Sequence, residues 1–267
     1  MFSPPNERRE LDGIDILILF WIMFVVLFWI GPAIEGTVGK ARTAITELAL
    51  LVGTIAFFRY RQFPIREICR WNPVPVKLLP YVFLFGIGGA ILLDGIDRLV
   101  GLIIPFPAEM LESYRKGLTT STGWEKALVI FGVAIAAPLV EETIFRGAIQ
   151  RTFENKSGVT KGVLLTALIF GLIHFQIAWL IQILVLSVFL GWMAWQWNSI
   201  VPALFLHAAN NYLSYFVMFD MTDELKSFYL FHGQLNPAVA LSAIAIAYYG
   251  LTGITRLYQE LNYINTD

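Results

Sequence analysis

The chain has 267 residues, of which 57% are hydrophobic and 15% charged, with a net charge of -1 and a mean hydropathy of +0.65. A soluble domain of this length carries more charge, so the composition excludes an ordinary water-soluble globule and indicates an all-α polytopic membrane protein. The near-neutral balance gives no electrostatic basis for nucleic-acid binding. The single cysteine, Cys69, excludes an intrachain disulfide and a cysteine-based zinc cluster.

In chain order, residues Met1 to Gly13 form a short polar lead with Pro4 and Pro5. The first apolar run, about Ile16 to Ile34, is too long for a cleavable signal peptide, and its flank mixes Glu7 and Glu10 with Arg8 and Arg9. A second span is expected over about Ala44 to Phe58, with Glu47 inside it, facing a polar interior or pairing with Arg42. Arg59 to Pro80 reads as a basic interfacial loop with one amphipathic turn on the membrane surface. The third span, about Tyr81 to Ile104, carries Gly86, Gly88 and Gly89 as a face for close helix packing, and Asp94 and Arg98 as a self-neutralising pair. Pro105 and Pro107 end it, and Glu109 to Gly123 is expected to connect outside the hydrocarbon.

A fourth span from Trp124 to about Phe153 is long enough to project past the bilayer at Arg151 and Glu154. The fifth (Val163 to Gln176), the sixth (about Trp179 to Trp195), a seventh ending near Phe219 and an eighth (Ala238 to about Leu257) follow. Residues 1–267 thus form one integral membrane domain of about eight spans, with a motif-bearing core over 124–219. Lys and Arg concentrate in the loops that share a side with the N-terminus, which places both termini in the cytoplasm.

The chemistry is concentrated in Pro138-Leu-Val-Glu141-Glu142-Thr-Ile-Phe-Arg146-Gly147. Charges in an apolar span are kept for use or in pairs. Glu142 and Arg146 are four apart on one face and form a favourable pair. Glu141 points about 100° away and has no cation within a turn. One glutamate is held and the other is left available. Pro138 cannot donate to the carbonyl of Ala134, which loosens the helix there, and Ala134, Ala136 and Ala137 admit a close neighbour. His174 closes Phe170-Gly-Leu-Ile-His174, and His207 and Asn211 share a face. Counted from the turn at Asn155 to Lys161, Glu141 and His174 both stand roughly 20 Å away, with His207 and Asn211 at roughly 12 and 18 Å. The four can converge if their helices adjoin.

A carboxylate, two imidazoles and an amide in a sheltered pocket can hydrolyse a peptide bond without a Ser or Cys nucleophile. Glu141 suits the general base for water, His174 helps hold and deprotonate that water, and His207 and Asn211 suit donors to the oxyanion. A second reading makes Glu141, His174 and His207 a zinc site with an open position for water, although no HExxH is present. The first reading needs no cofactor.

Three motifs, Glu141-Glu142 with Arg146, Phe170 with His174, and His207 with Asn211, carry a family likeness. The chain resembles the CAAX protease and bacteriocin-processing (Abi) family of intramembrane glutamate endopeptidases, which shows EExxxR, FxxxH and HxxxN on successive helices. The resemblance implies a helical membrane fold with a cavity open to the cytoplasm and the lateral membrane. It implies the first glutamate as water activator, with Glu142 and Arg146 supporting it. It also implies a peptide or protein substrate, either prenylated at a CAAX end or otherwise membrane-embedded. Some relatives act in bacteriocin maturation or self-immunity, so a non-catalytic partner that binds a protein in the same cavity is the competing expectation; a transporter fits less well, because no internal repeat is visible. A bacterial or archaeal plasma membrane is the expected location.

Overall fold

A computed structural model describes residues 11–264; the polar lead up to Glu10 and the last three residues of the tail lie outside the described residues. The architecture is all-α, with a single two-stranded hairpin pairing Leu230 with Leu235 and Phe231 with Gln234. Among the described residues five helical stretches are long and apolar enough to cross a membrane: Gly13–Tyr60, Leu78–Gly101, Gly123–Ser157, Ile177–Gln196 and Pro237–Leu261. The first of these holds the first two expected spans. It breaks at Gly39, whose φ of +54° is a left-handed value that glycine adopts at no steric cost, and Arg42–Tyr60 follows. Val159–Ile173 is a shorter apolar helix. The expected seventh span is helical over residues 201–220 but falls outside those five, since His207, Asn210 and Asn211 lower its hydropathy. Large apolar side chains such as Trp21, Trp29, Phe83 and Tyr248 face outward, as a lipid-facing surface requires.

Close packing rests on small residues. A Cβ at Gly88 would lie 2.6 Å from the Ala243 carbonyl oxygen and the Ala247 nitrogen, so Pro237–Ile264 meets Leu78–Gly101 nearly backbone to backbone. The glycine face expected over Gly86, Gly88 and Gly89 is divided. Gly86 instead receives Leu206 and Ala209 of the helix that carries His207, and Gly89 has nothing within 4 Å. Two residues turn a helix by about 200°, so Gly86 and Gly88 face different neighbours.

Three connections carry helical segments. Ala108–Leu118 and Asp223–Tyr229 are helical. The segment after Tyr60 does contain one helical turn, Ile65–Ile68, but it docks onto the protein. Cys69 is fully buried, and a Cβ at Gly147 would lie 2.6 Å from the Cys69 Cα, so glycine there lets the loop close on the helix Gly123–Ser157. Burial pushes the Cys69 thiol up to about 12, partly offset by the charge of Arg151, and it stays an inert core group. Asp94 and Arg98 form the expected pair at 2.7 Å, and the Tyr229 hydroxyl donates to Asp94 at 3.0 Å, tying the hairpin to this helix.

Candidate active site

Glu142, Arg146, Gln150 and Glu154 recur every fourth residue of Gly123–Ser157, and all are buried. They form a polar ladder on a face that meets Leu180–Gln196. Arg146 Nη1 lies 3.2 Å from Glu142 Oε1, and Arg146 Nη2 donates to Ser187 Oγ at 2.8 Å. Gln150 Nε2 donates to Glu154 Oε1 at 2.7 Å and to the Gly191 carbonyl at 2.8 Å. Ser187 and Gly191 are again four apart, so the two helices match rung for rung.

The lowest rung is closed by the docked loop. Arg70 donates to both oxygens of Glu154, with Nη1 at 3.2 Å from Oε1, and also reaches the Arg146 carbonyl at 3.4 Å. Arg70 holds a left-handed φ of +52°, fixed from the other side by the Ile200 N–H donating to its carbonyl at 3.1 Å. Arg70 and Glu154 were expected at the membrane surface. They are buried against each other, because an acid that the long helix carries past its last apolar turn needs a cation once the loop covers it.

Around Glu142 the helix is wound loosely. Residues Gly132–Ala136 and Thr143–Ile149 bond i to i+5. Such widened turns are common at functional sites. They also change which carbonyl Pro138 leaves free. Ala137 N–H reaches back to the Gly132 carbonyl, so in the same register Pro138 would serve Val133, not Ala134. Asn211 Nδ2 supplies the missing donor to the Val133 carbonyl at 3.0 Å. Its Oδ1 accepts from Asn210 Nδ2 at 3.3 Å.

The two glutamates part as their helix angles dictate. The Glu142 side chain is fully buried, whereas that of Glu141 is 21% exposed. His207 joins them: its Nδ1 is 2.8 Å from Glu142 Oε1, and its Nε2 is 3.7 Å from Glu141 Oε2. A carboxylate accepts, so Nδ1 carries a proton and Nε2 is the nitrogen that faces Glu141. His174 lies at the end of Val159–Ile173, a helix that stops ahead of the exposed Phe175, whose φ is +52°. His174 Nδ1 donates to the Phe170 carbonyl at 2.6 Å, one of the carbonyls a helix end leaves unserved. In the neutral ring this leaves His174 Nε2 as an acceptor.

Phe170 is the hub of the apolar side. Its ring lies 4.2 Å from the Arg146 guanidinium carbon, 4.6 Å from His174 and 6.0 Å from His207, centre to centre for the rings. Phe145 packs edge-on at 5.1 Å. Stacking under a buried guanidinium adds a cation–π contact worth about 2 kcal/mol when desolvated.

The site thus gathers Glu141, Glu142, Arg146, Phe170, His174 and His207, with Asn211 one turn along the His207 helix. Ser187 and Glu47 were not anticipated as members. Glu47 is buried and has an Oε2 atom without a hydrogen-bond partner. It does not pair with Arg42, which lies 3.5 Å from Glu35. The signal was a lone acid in an apolar run with no cation three or four residues away. Among the described residues no group of three or more His, Cys, Asp or Glu is placed to hold a metal ion.

Residues 123–213 match the family model of type II CAAX prenyl endopeptidase Rce1-like proteins. The matched segment begins where the glutamate helix begins and ends two residues past Asn211, so it contains all three motifs. This is the CAAX protease family that the motifs resemble. No curated protein and no solved structure matches the chain.

Proposed function

We propose that this membrane protein of the CAAX protease family is an intramembrane endopeptidase that uses Glu141 to activate water. The observation that carries the reading is the contrast around His207: Glu142 and Arg146 are sealed behind it, and a partly exposed Glu141 stands in front of its second nitrogen. Water held between Glu141 and His174 Nε2 adds to the scissile carbonyl carbon as its proton passes to Glu141. The carbonyl oxygen becomes an oxyanion, met by His207 and by the second N–H of Asn211 Nδ2. The tetrahedral intermediate collapses as Glu141 returns that proton to the leaving nitrogen, and the products are an acid and an amine. No covalent enzyme intermediate forms.

Glu142, Arg146 and Phe170 position His207 without touching substrate. The family implies a peptide or protein substrate in a membrane, and we assign a chain end made membrane-resident by a prenyl group or another apolar anchor. Both termini lie in the cytoplasm in this reading, with cleavage in the cytoplasmic half of the membrane.

The test is cleavage of an internally quenched CAAX-type peptide by the purified protein in detergent. Farnesylated and unmodified forms are compared, with and without a strong zinc chelator. Turnover of the farnesylated form at a rate indifferent to chelator is expected. Turnover abolished by chelator would replace the water-activating carboxylate by a metal, and absence of cleavage for either peptide would contradict the assigned substrate.

A further inference from the structure

The docked loop touches both of the helices whose side chains meet in the site. On the glutamate helix, Gly147 admits the Cys69 backbone, Arg151 donates to the Glu67 carbonyl, and the Arg70 guanidinium meets Glu154 and the Arg146 carbonyl. On the other side the loop holds the turn that begins the helix of residues 201–220. Ile200 N–H donates to the Arg70 carbonyl at 3.1 Å, Ser199 Oγ to the Asn72 carbonyl at 2.6 Å, and Asn72 Nδ2 to the Asn198 carbonyl at 2.7 Å. Within this set Arg70 reaches both helices, one with its side chain and the other with its carbonyl. Ile200 stands seven residues before His207, two turns or about 10 Å along the same helix.

The carbonyl that Arg70 takes has a particular need. Gln150 N–H donates to the Phe145 carbonyl, five residues back, so the Arg146 carbonyl loses the donor that an ordinary helix gives it. Arg70 Nη1 faces it at 3.4 Å while meeting Glu154 Oε1 at 3.2 Å. At the other widened turn the Val133 carbonyl loses its donor in the same way and takes one from Asn211. The ordinary helix between the two turns, Ala137–Glu142, carries both glutamates. A change of register by one residue in either widened turn would rotate that segment by about 100°. A donor anchored outside the helix at each turn therefore sets where Glu141 and Glu142 point. Asn211 belongs to the His207 helix, and Arg70 is bonded to the start of it, so the Glu142–His207 contact at 2.8 Å lies between two ties that join the same pair of helices. We propose that Arg70 is a positioning residue for the reaction, holding the two helices in the register that puts Glu142 on His207 and Glu141 before its second nitrogen. It touches no substrate. Its value to catalysis rests on the reading of Glu141 as base, but the register can be observed without any turnover.

The experiment combines nitrogen NMR of the full chain in detergent, its histidines isotope-labelled, with cleavage of the farnesylated peptide. His207→Gln assigns the His207 signal. Arg70→Lys keeps a cation for Glu154 but is one bond shorter and withdraws from the Arg146 carbonyl. The His207 signal is expected to move, and kcat to fall about 10- to 100-fold at unchanged KM, as for a small misplacement of reacting groups. The His174 signal should stay, because His174 is bonded within its own helix. Should Arg70→Lys fail to fold, Arg70→Met combined with Glu154→Gln removes both charges together, strands neither, and is expected to give the same shift and loss. A His207 signal that stays in place, or that moves only together with that of His174, overturns the proposal, as does a moved signal with kcat unchanged. A His207 signal moved in a protein whose wild type cleaves nothing leaves the positioning role standing and overturns the peptidase reading alone.

Discussion

The two faces of the glutamate helix handle charge in opposite ways. On the face of Glu142, Arg146, Gln150 and Glu154, each rung has a protein partner, ending in Arg70 from the docked loop. On the face of Glu141 there is partial exposure and one imidazole nitrogen at 3.7 Å. One turn of one helix therefore separates a scaffold from a reaction site. A buried charge held against an opposite charge fixes geometry, and a partly exposed carboxyl beside an imidazole is placed to exchange a proton.

The largest expected effect comes from breaking the sealed side. Arg146→Met leaves Glu142 buried without its cation and removes the group stacked on Phe170, and it should cost about 3–5 kcal/mol. Thermal unfolding in detergent checks this, and a loss under about 1 kcal/mol would show that the ladder is not structural. Asn211→Leu comes next. It strands the Val133 carbonyl and should cost about 1–3 kcal/mol, with hydrolysis falling further than stability because an oxyanion donor goes with it. Equal losses in rate and stability would confine Asn211 to the helix bulge. Ser187→Ala withdraws the acceptor from Arg146 Nη2 and should cost about 1 kcal/mol while leaving the pH profile of cleavage in place.

The smallest effect lies far from the site. Asp12 caps the first helix, accepting from Asp15 N–H at 2.8 Å, and that bond holds its carboxyl below the ordinary 3.8. A depressed carboxyl stabilises the fold above its unfolded value and loses that contribution as pH falls through the folded one. Asp12→Ala should therefore lower the thermal midpoint slightly near neutrality and not at all well below pH 3.8. An equal effect at both pH values would rule out the cap as its source.

What the sequence made legible followed from spacing along one helix. Glu142 with Arg146, the separation of Glu141 from Glu142, and the shared face of His207 and Asn211 all come from the helix angle. The all-α membrane fold came from hydropathy, and the three ordered motifs pointed to the family that residues 123–213 match. What was hidden depends on contacts across sequence. Arg70 and Glu154 stand 84 residues apart, and Arg146 and Ser187 stand 41 apart, distances at which periodicity says nothing. The carbonyl freed by Pro138 was misplaced by one residue because the i to i+5 register of Gly132–Ala136 has no sequence signature. Glu47 was visible as an oddity, but its burial with Oε2 unpartnered was not.

The claim that one glutamate is structural and the other chemical is tested most directly by measuring cleavage of the farnesylated peptide and thermal stability on Glu141→Gln and Glu142→Gln side by side. The account predicts that Glu141→Gln keeps its unfolding midpoint and loses about 10²- to 10⁴-fold in rate. Glu142→Gln should lose stability first, with its rate falling as His207 is released. A folded Glu141→Gln protein that cleaves at the wild-type rate would contradict the account.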